Sequence, residues 1–324
     1  KDLFQSNKGG LATSSYLTKS GRYSLYKIIA IIKKNNTNIK NIYLPSFICK
    51  EVISSLRSFN LNISFYKLND DLSPDINFLK KKLKRKSILF IVNYFGVMSN
   101  WSSINGIKNE HELITIDDNC HSLNEENGVG SYGDYSFNSL RKIIPLLSGS
   151  EPNINKASIV PETNNLKLRM PDIDEIKYLL RSYRNKKSTK TLINGSEDNE
   201  IISNENGIDY FSKRILDNNK FDINQICLTR RQNFISWSKF LPNSELRSFH
   251  IDINKVFCPY VYPCIAESNE IKKKWLEWGI RNNIRIINWP KIPFESHDHF
   301  ENSHLNMVLL FPVNHQFNLP IRLN

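Results

Sequence analysis

Long apolar runs are missing from this chain of 324 residues. No segment reaches the ~20 successive apolar residues that crossing a bilayer takes, so no membrane contact is expected. Lys1–Gly10 likewise lacks the apolar centre of a secretion signal. Cysteine is sparse and unpatterned: Cys49, Cys120, Cys227, Cys258 and Cys264 are odd in number and form no CxxC pair. That argues against a disulfide framework or a zinc site, and for reduced thiols in a cytoplasmic protein. Acidic residues are outnumbered, 32 against 44 Lys and Arg, for a net charge of +12. The densest basic run, KKKLKRK at Lys80–Lys86, has Leu79 and Leu83 four residues apart. Its lysines therefore read as the wet face of an amphipathic helix. With no aromatic-interleaved basic patch and no helix-turn-helix pattern, nucleic acid is not an expected partner. Attraction of anionic small molecules is the milder consequence of the charge. Repeats and dominant low-complexity tracts are absent. His297, His299 and His304 lie in a polar stretch without an H-E-x-x-H helix, so no metal is expected there.

What the chain does have is enough apolar material for a real core, 40% hydrophobic residues with five Trp, and a length suited to one large domain plus a smaller one. Ser20–Lys34 carries Leu25, Ile28, Ile29 and Ile32 at helical spacing. Strands are expected at Asn41–Leu44, Asn62–Tyr66, Ser87–Tyr94 and Glu112–Asp117, with helices between them near Cys49–Phe59, Pro74–Leu83 and Ser102–Lys108. That alternation implies βαβ units and a mostly parallel sheet. After a helix at Asp172–Arg184, residues 185–207 are polar and read as a long surface loop or lid. Further on come a helix at Asn224–Leu241, a strand-like stretch at Lys255–Ile265, a helix at Ser268–Ile280 and a strand at Arg285–Asn288. Phe257–Tyr262 and Met307–Val313 are expected as central strands of a small α/β domain. The division falls at residues 1–216 and 217–324.

The most informative segment is Ile114–Gly149. An apolar run ends in Asp117-Asp118, His121 follows three residues later, and a short strand at Asp134–Phe137 leads to Arg141-Lys142. Open α/β sheets bind ligands beyond the carboxyl ends of their strands. An acid, a histidine and an amine are thereby brought to one crevice. Pyridoxal 5'-phosphate (PLP) needs such a set, with a lysine for its Schiff base and a carboxylate facing its pyridinium nitrogen.

Read in order, the motifs are SGRYSL (20–25), YLPSFIC (43–49), NYFG (93–96), IDDNCHS (116–122), GDYSF (133–137), SLRKIIP (139–145) and LLFPVNH (309–315). Together they resemble the PLP-dependent sugar aminotransferases of the DegT/StrS type, in a branch whose lysine segment reads S-L-R-K-x-x-P. The resemblance implies a fold-type-I PLP enzyme: a large domain with a mostly parallel, seven-stranded-type sheet flanked by helices, and a small C-terminal α/β domain. It also implies a homodimer with active sites at the subunit interface, to which Trp101 or Trp289 would contribute. The implied reaction carries an amino group from an amino acid, such as glutamate, to a keto-sugar, nucleotide-linked, in surface polysaccharide or glycan biosynthesis.

On this resemblance Lys142 would carry the Schiff base and shuttle a proton, helped by a pocket that lowers its pKa. The commoner family spacing would land on Arg141, which cannot form a Schiff base. Asp118 would face the ring nitrogen, with Asp117 the competing carboxylate; alternate residues of a strand face opposite ways. His121 would sit beside the ring hydroxyl. Backbone amides of Gly21 and Arg22 would hold the phosphate at a helix start, with Ser139 or else Ser136 donating a hydroxyl. Phe47 would cover the ring, with Tyr94 as the fallback. The family's paired glycines after the lysine are replaced here by Ser148-Gly149-Ser150. Some relatives exchange the lysine and act as dehydratases, so its retention favours transamination. The alternatives are a PLP-dependent lyase or dehydratase, and a degenerate member that kept the fold for binding or assembly. Substrate specificity would lie in residues 185–207 and in Pro290–His304.

Overall fold

In the computed structural model, the described residues are 17–123, 130–155, 166–177, 206–218, 221–290, 292–293, 295–296 and 303–314. The first half alternates helix and strand: α1 (Gly21–Asn35), β1 (Asn41–Pro45), α2 (Lys50–Leu56), β2 (Asn62–Tyr66), α3 (Ile76–Lys82), β3 (Ile88–Val92), α4 (Trp101–His111), β4 (Ile114–Asn119), β5 (Tyr135–Asn138) and β6 (Pro152–Ile154). These strands form one six-stranded sheet in the order β2-β1-β3-β4-β5-β6. Every pairing is parallel except β5 with the edge strand β6. The mostly parallel sheet is as the sequence implied, with six strands among the described residues where seven were expected.

Alternation along the central strands assigns the faces. β3, ILFIV, is buried at every position, as expected of a strand covered on both sides. Ile88, Phe90 and Val92 pack with Leu25, Ile28, Ile29 and Ile32 of α1, while Leu89 and Ile91 pack against Trp101, Ile104 and Ile107 of α4. Trp101 is therefore a core residue, stacked on Tyr132 at 5.9 Å, and not the surface aromatic that a dimer contact needs. The basic run behaves as its spacing suggested. Asp75 caps α3 by accepting from the Phe78 amide at 2.9 Å, and Leu79 is buried while Lys80 and Lys81 are exposed.

Beyond β6 come β7 (Lys167–Arg169) and β8 (Asn206–Asp209), which pair in parallel, then α5 (Tyr210–Asn218) and α6 (Ile223–Phe240). The polar stretch 185–207 is thus part strand at its end, and its residues up to 205 lie outside the described residues. Four further strands, β9 (Leu246–Ser248), β10 (Val261–Ala266), β11 (Ile287–Asn288) and β12 (Val308–Pro312), form an antiparallel sheet in the order β11-β12-β10-β9. The helix α7 (Asn269–Arg281) separates β10 from β11. Met307–Val313 supplies a central strand as expected; the other begins at Val261, four residues later than Phe257. Pro259 and the bonds of its neighbours to α6 keep that stretch a turn. Val261, Ile265, Val308 and Leu310 join the same buried cluster as β3 and α1, so the second sheet packs directly against the first unit's core. No helix among the described residues is long and apolar enough to cross a membrane.

Candidate active site

A cavity of about 520 Å³ opens between the main sheet and the antiparallel sheet. It lies beyond the carboxyl ends of β1, β3, β4 and β5, the side where open α/β sheets hold ligands. Gly21, Arg22, Phe47, Asp118, His121, Ser139 and Lys142 all border it. Residues spread over more than a hundred positions are brought together from four places: the start of α1 and the ends of β1, β4 and β5.

The strand pleat separates the two aspartates. Asp118 is on the cavity side, where its Oδ1 accepts from the Cys120 amide at 2.9 Å. Burial pushes its carboxyl up, and the Cys120 amide and the Lys142 amine pull it part of the way back. Asp117 faces the other way. Its Oδ1 accepts from Asn93 Nδ2 at 2.8 Å, its Oδ2 has no partner among the described residues, and burial pushes its carboxyl up to about 8. An acid in that state is mostly protonated at neutral pH, which suits a structural role.

His121 is held as a neutral ring. The Phe95 amide donates to its Nδ1 at 3.2 Å, so the ring proton belongs on Nε2. Burial, and then the Lys142 charge, pull its pKa well below the ordinary histidine value. The ring lies between Phe95 at 5.7 Å and Tyr260 at 5.4 Å, both nearly parallel to it. Phe95 reaches this position with φ of 57°, a left-handed conformation that a bulky residue adopts only under tertiary constraint. At the next residue, Gly96, a Cβ would lie 2.6 Å from the Pro259 Cα. Glycine there lets the NYFG turn pack against the turn that carries Tyr260.

Lys142 ends a short 3₁₀ turn after β5, and its Nζ lies 5.5 Å over the Tyr260 ring. The expectation of a lowered pKa is corrected here. Burial alone lowers it, but Cys120, Tyr260, Cys49 and Asp118 together favour the charged amine, and the net displacement is upward. Arg141 borders the same cavity, so the one-residue register ambiguity is one of chemistry, and only Lys142 has a nucleophilic amine.

The start of α1 forms the far wall. Ser20 is extended at the N-cap and its side chain makes no capping bond. A Cβ on Gly21 would come within 2.7 Å of Cys120 Sγ and 3.3 Å of the Phe137 ring. Gly21→Ala is therefore expected to displace α1 from the end of β4 and to weaken binding of a phosphorylated ligand at least about tenfold, a 1.4 kcal/mol loss. Equilibrium titration with PLP checks it, and an unchanged affinity would remove α1 from the site. Ser139 borders the cavity, whereas Ser136 pairs in register with Asp117, away from it. Phe47 borders the cavity as a stacked member of an aromatic group, 5.5 Å from Tyr94 and 4.5 Å from Trp289.

Several features carried no local signal in the sequence. Tyr260 lies in a turn ahead of β10 and is placed by the second sheet. Arg285 and Trp289 line the opposite wall, and Arg285 Nε, Asn288 Oδ1 and Trp289 Nε1 are buried without partners among the described residues. Trp289 is thus a cavity residue. The replaced glycine pair is built into a hydroxyl network: Ser150 Oγ lies 2.7 Å from Ser24 Oγ on α1, and the Asp209 amide donates to Ser148 Oγ at 2.9 Å. The cysteine reading is also corrected. Cys227 and Cys258 form a disulfide joining α6 to the turn before β10, while Cys49, Cys120 and Cys264 are free. A sequence separation of 31 residues gave no spacing cue; tertiary packing makes the pair. His297 and His299 lie outside the described residues.

No protein-family model matches the chain, and no curated protein matches it. Solved structures do. A DegT DnrJ EryC1 StrS aminotransferase from Brucella abortus superposes with a TM-score of 0.61 at 14% identity, over 94% of this chain and 81% of that one. PseC from Helicobacter pylori, an aminotransferase involved in the biosynthesis of pseudoaminic acid, gives 0.63 at 15% identity, over 94% and 82%. A GDP-4-keto-6-deoxymannose-3-dehydratase with a trapped PLP-glutamate geminal diamine gives 0.65 at 17%, over 94% and 84%. The chain has the fold-type-I architecture. At such identities the likeness concerns the fold, and the chemistry has to be argued from the cavity.

Proposed function

We propose that this chain is a PLP-dependent aminotransferase that moves an amino group from an amino acid to a keto-sugar, nucleotide-linked, in surface polysaccharide or glycan biosynthesis. The proposal includes a homodimer, with a PLP-holding unit at residues 1–216 and a smaller unit at 217–324. A cytoplasmic setting keeps one support, that Lys1–Gly10 lacks the apolar centre of a secretion signal, and loses that of reduced thiols, since Cys227 and Cys258 are bonded. One observation carries it: Lys142, Asp118, His121 and the start of α1 converge on a single cavity large enough for a cofactor and a substrate.

The residues fit the group. Gly21 lets the start of α1 pack closely on Cys120 and Phe137, which sets the first turn of α1 at the cavity edge, where a phosphate would meet its free amides. Arg22 and Ser139 would complete that grip, Lys142 would hold the aldehyde carbon through its amine, and Asp118 would hold the ring nitrogen. His121 would donate its Nε2 proton to the ring hydroxyl. Bound there, PLP supplies an electron sink that lowers the cost of removing a proton from the substrate's α-carbon. Nζ of Lys142 would serve as the base that takes up that proton and returns it. Tyr260 and Trp289 add aromatic lining to the cavity, and Arg22, Arg141 and Arg285 make it attractive to anionic substrates. A dimer has support in the exposed apolar side chains Leu168, Met170, Ile173, Tyr210 and Phe211 near the β7–β8 pair.

Retention of the lysine favours transamination over the dehydration performed by the structurally similar GDP-4-keto-6-deoxymannose-3-dehydratase. The test uses PLP-loaded protein and ¹⁵N-labelled glutamate with nucleotide-linked keto-sugars. Label on the sugar is the expected result. Loss of water from the sugar without label would replace the reading by dehydration. Failure of PLP-loaded protein to accept an amino group from any of the common amino acids would end it.

A further inference from the structure

A buried guanidinium ties together two neighbouring turns that both border the cavity. Arg230, on α6, is 3% exposed and has no acidic partner among the described residues. Its bonds go to backbone carbonyls. Nη2 donates to Ile143 O at 3.0 Å, while Nη1 donates to Pro259 O at 3.2 Å and Tyr260 O at 3.3 Å. Ile143 directly follows Lys142. Tyr260 is the ring that stacks on His121 and lies beneath Lys142 Nζ.

A cation buried among dipoles alone is costly to keep. Burial accordingly pulls the Arg230 pKa down to about 10, with Tyr260 acting against it. The planar fork of arginine explains the choice of residue, because its donors diverge in fixed directions and reach carbonyls on two separate turns; a lysine offers one point. Other anchors hold the second turn to α6. Cys227 is bonded to Cys258, and Arg231 Nε donates to Val256 O at 3.0 Å. Of these contacts, those of Arg230 also reach the Lys142 turn.

We infer that Arg230 is a positioning residue whose guanidinium fixes the spacing between the Lys142 turn and the Tyr260–His121 stack. The inference rests on the part proposed for Lys142, but the spacing itself is a property of the protein without cofactor. The groups that face the Lys142 amine are Cys120, Cys49 and Asp118 from the main-sheet side, and Tyr260 and His121 from the stack. Loss of the guanidinium leaves three carbonyls without their donor. The turns part, and Tyr260 leaves the set that favours the charged amine.

The test is the titration of Lys142 in cofactor-free protein, by trace acetylation with acetic anhydride and quantification of the Lys142 peptide by mass spectrometry. The midpoint of the pH profile reports the amine's charge and is independent of how fast the reagent enters. Wild type is expected to titrate above the ordinary lysine value, and Arg230→Met at least about half a pH unit lower. Arg230→Lys, which keeps the charge and most of the volume, is expected to move the same way by less, and carries the test if Arg230→Met does not fold. Millimolar guanidinium added to Arg230→Ala is expected to restore the wild-type midpoint, a rescue that mere space filling does not produce. Coincident midpoints for wild type and the folded variant, or no response to guanidinium, would overturn the inference. A wild type that takes up no PLP would end the aminotransferase reading, while the acetylation profile would still decide the place of Arg230.

Discussion

Lys142→Ala is expected to abolish amino transfer, lowering turnover by about 10⁴-fold, the combined loss of a nucleophile and a proton shuttle. The melting temperature should stay near that of wild type, because the amine forms no ion pair among the described residues and rests on the Tyr260 ring. Removing a buried cation with so weak a partner relieves a desolvation cost as much as it loses a contact. Cofactor uptake by wild type gives the same residue a pH signature. The attacking amine must be neutral, and its pKa is displaced above the ordinary lysine value. Uptake is therefore expected to speed up about tenfold per pH unit and to keep rising through pH 9. A rate that levels off below about pH 8 would show an amine with a lowered pKa, contrary to the charges around Lys142.

Asp118→Asn is expected to lower turnover by about 10² to 10³-fold, the usual loss when one well-placed electrostatic partner of the reacting group is removed. Asparagine keeps the size but cannot hold a charged ring nitrogen, so the effect should fall on turnover more than on substrate binding. The neighbouring change supplies the contrast. Asp117→Asn is expected to leave turnover within about threefold of wild type, because Asp117 faces Asn93 across the sheet. Its effect should appear in stability. The folded carboxyl titrates at about 8, whereas in the unfolded chain it titrates near the ordinary value of about 4. Between those pH values the native state holds a proton that the unfolded chain has lost, so stability falls as pH rises through the window. Asparagine removes that dependence. Melting curves of both proteins between about pH 5 and pH 8 should diverge, with Asp117→Asn flatter and more stable at the upper end. Equal slopes would show that the carboxyl is ionised in the fold, and a turnover collapse in Asp117→Asn would exchange the roles of the two aspartates.

Local pattern carried much of the main sheet. Asn62–Tyr66 has its strand bounds in the sequence because an apolar stretch is closed off by polar neighbours, and α1 begins one residue after Ser20 because Leu25, Ile28, Ile29 and Ile32 fall on one face. The pleat also separated Asp118 from Asp117 in advance, since strand alternation is a local rule. What stayed hidden depends on contacts between distant segments. Tyr260 reads as part of a strand until the bonds of α6 to Val256, Pro259 and Tyr260 hold it in a turn. The charge state of Lys142 could not be read from a lysine after a strand, because four groups from three separate segments set it. β6 and β7 have three residues each, too few for a period to register. The Cys227–Cys258 bond likewise follows from packing and has no motif.

The most direct measurement is borohydride reduction of the wild-type protein after incubation with PLP, followed by peptide mapping of the modified lysine. A visible absorbance band that reduction removes, with the pyridoxyl group found on Lys142, is the expected result. A modified lysine elsewhere in the chain, or a protein that shows no band at saturating PLP, would contradict the proposed site.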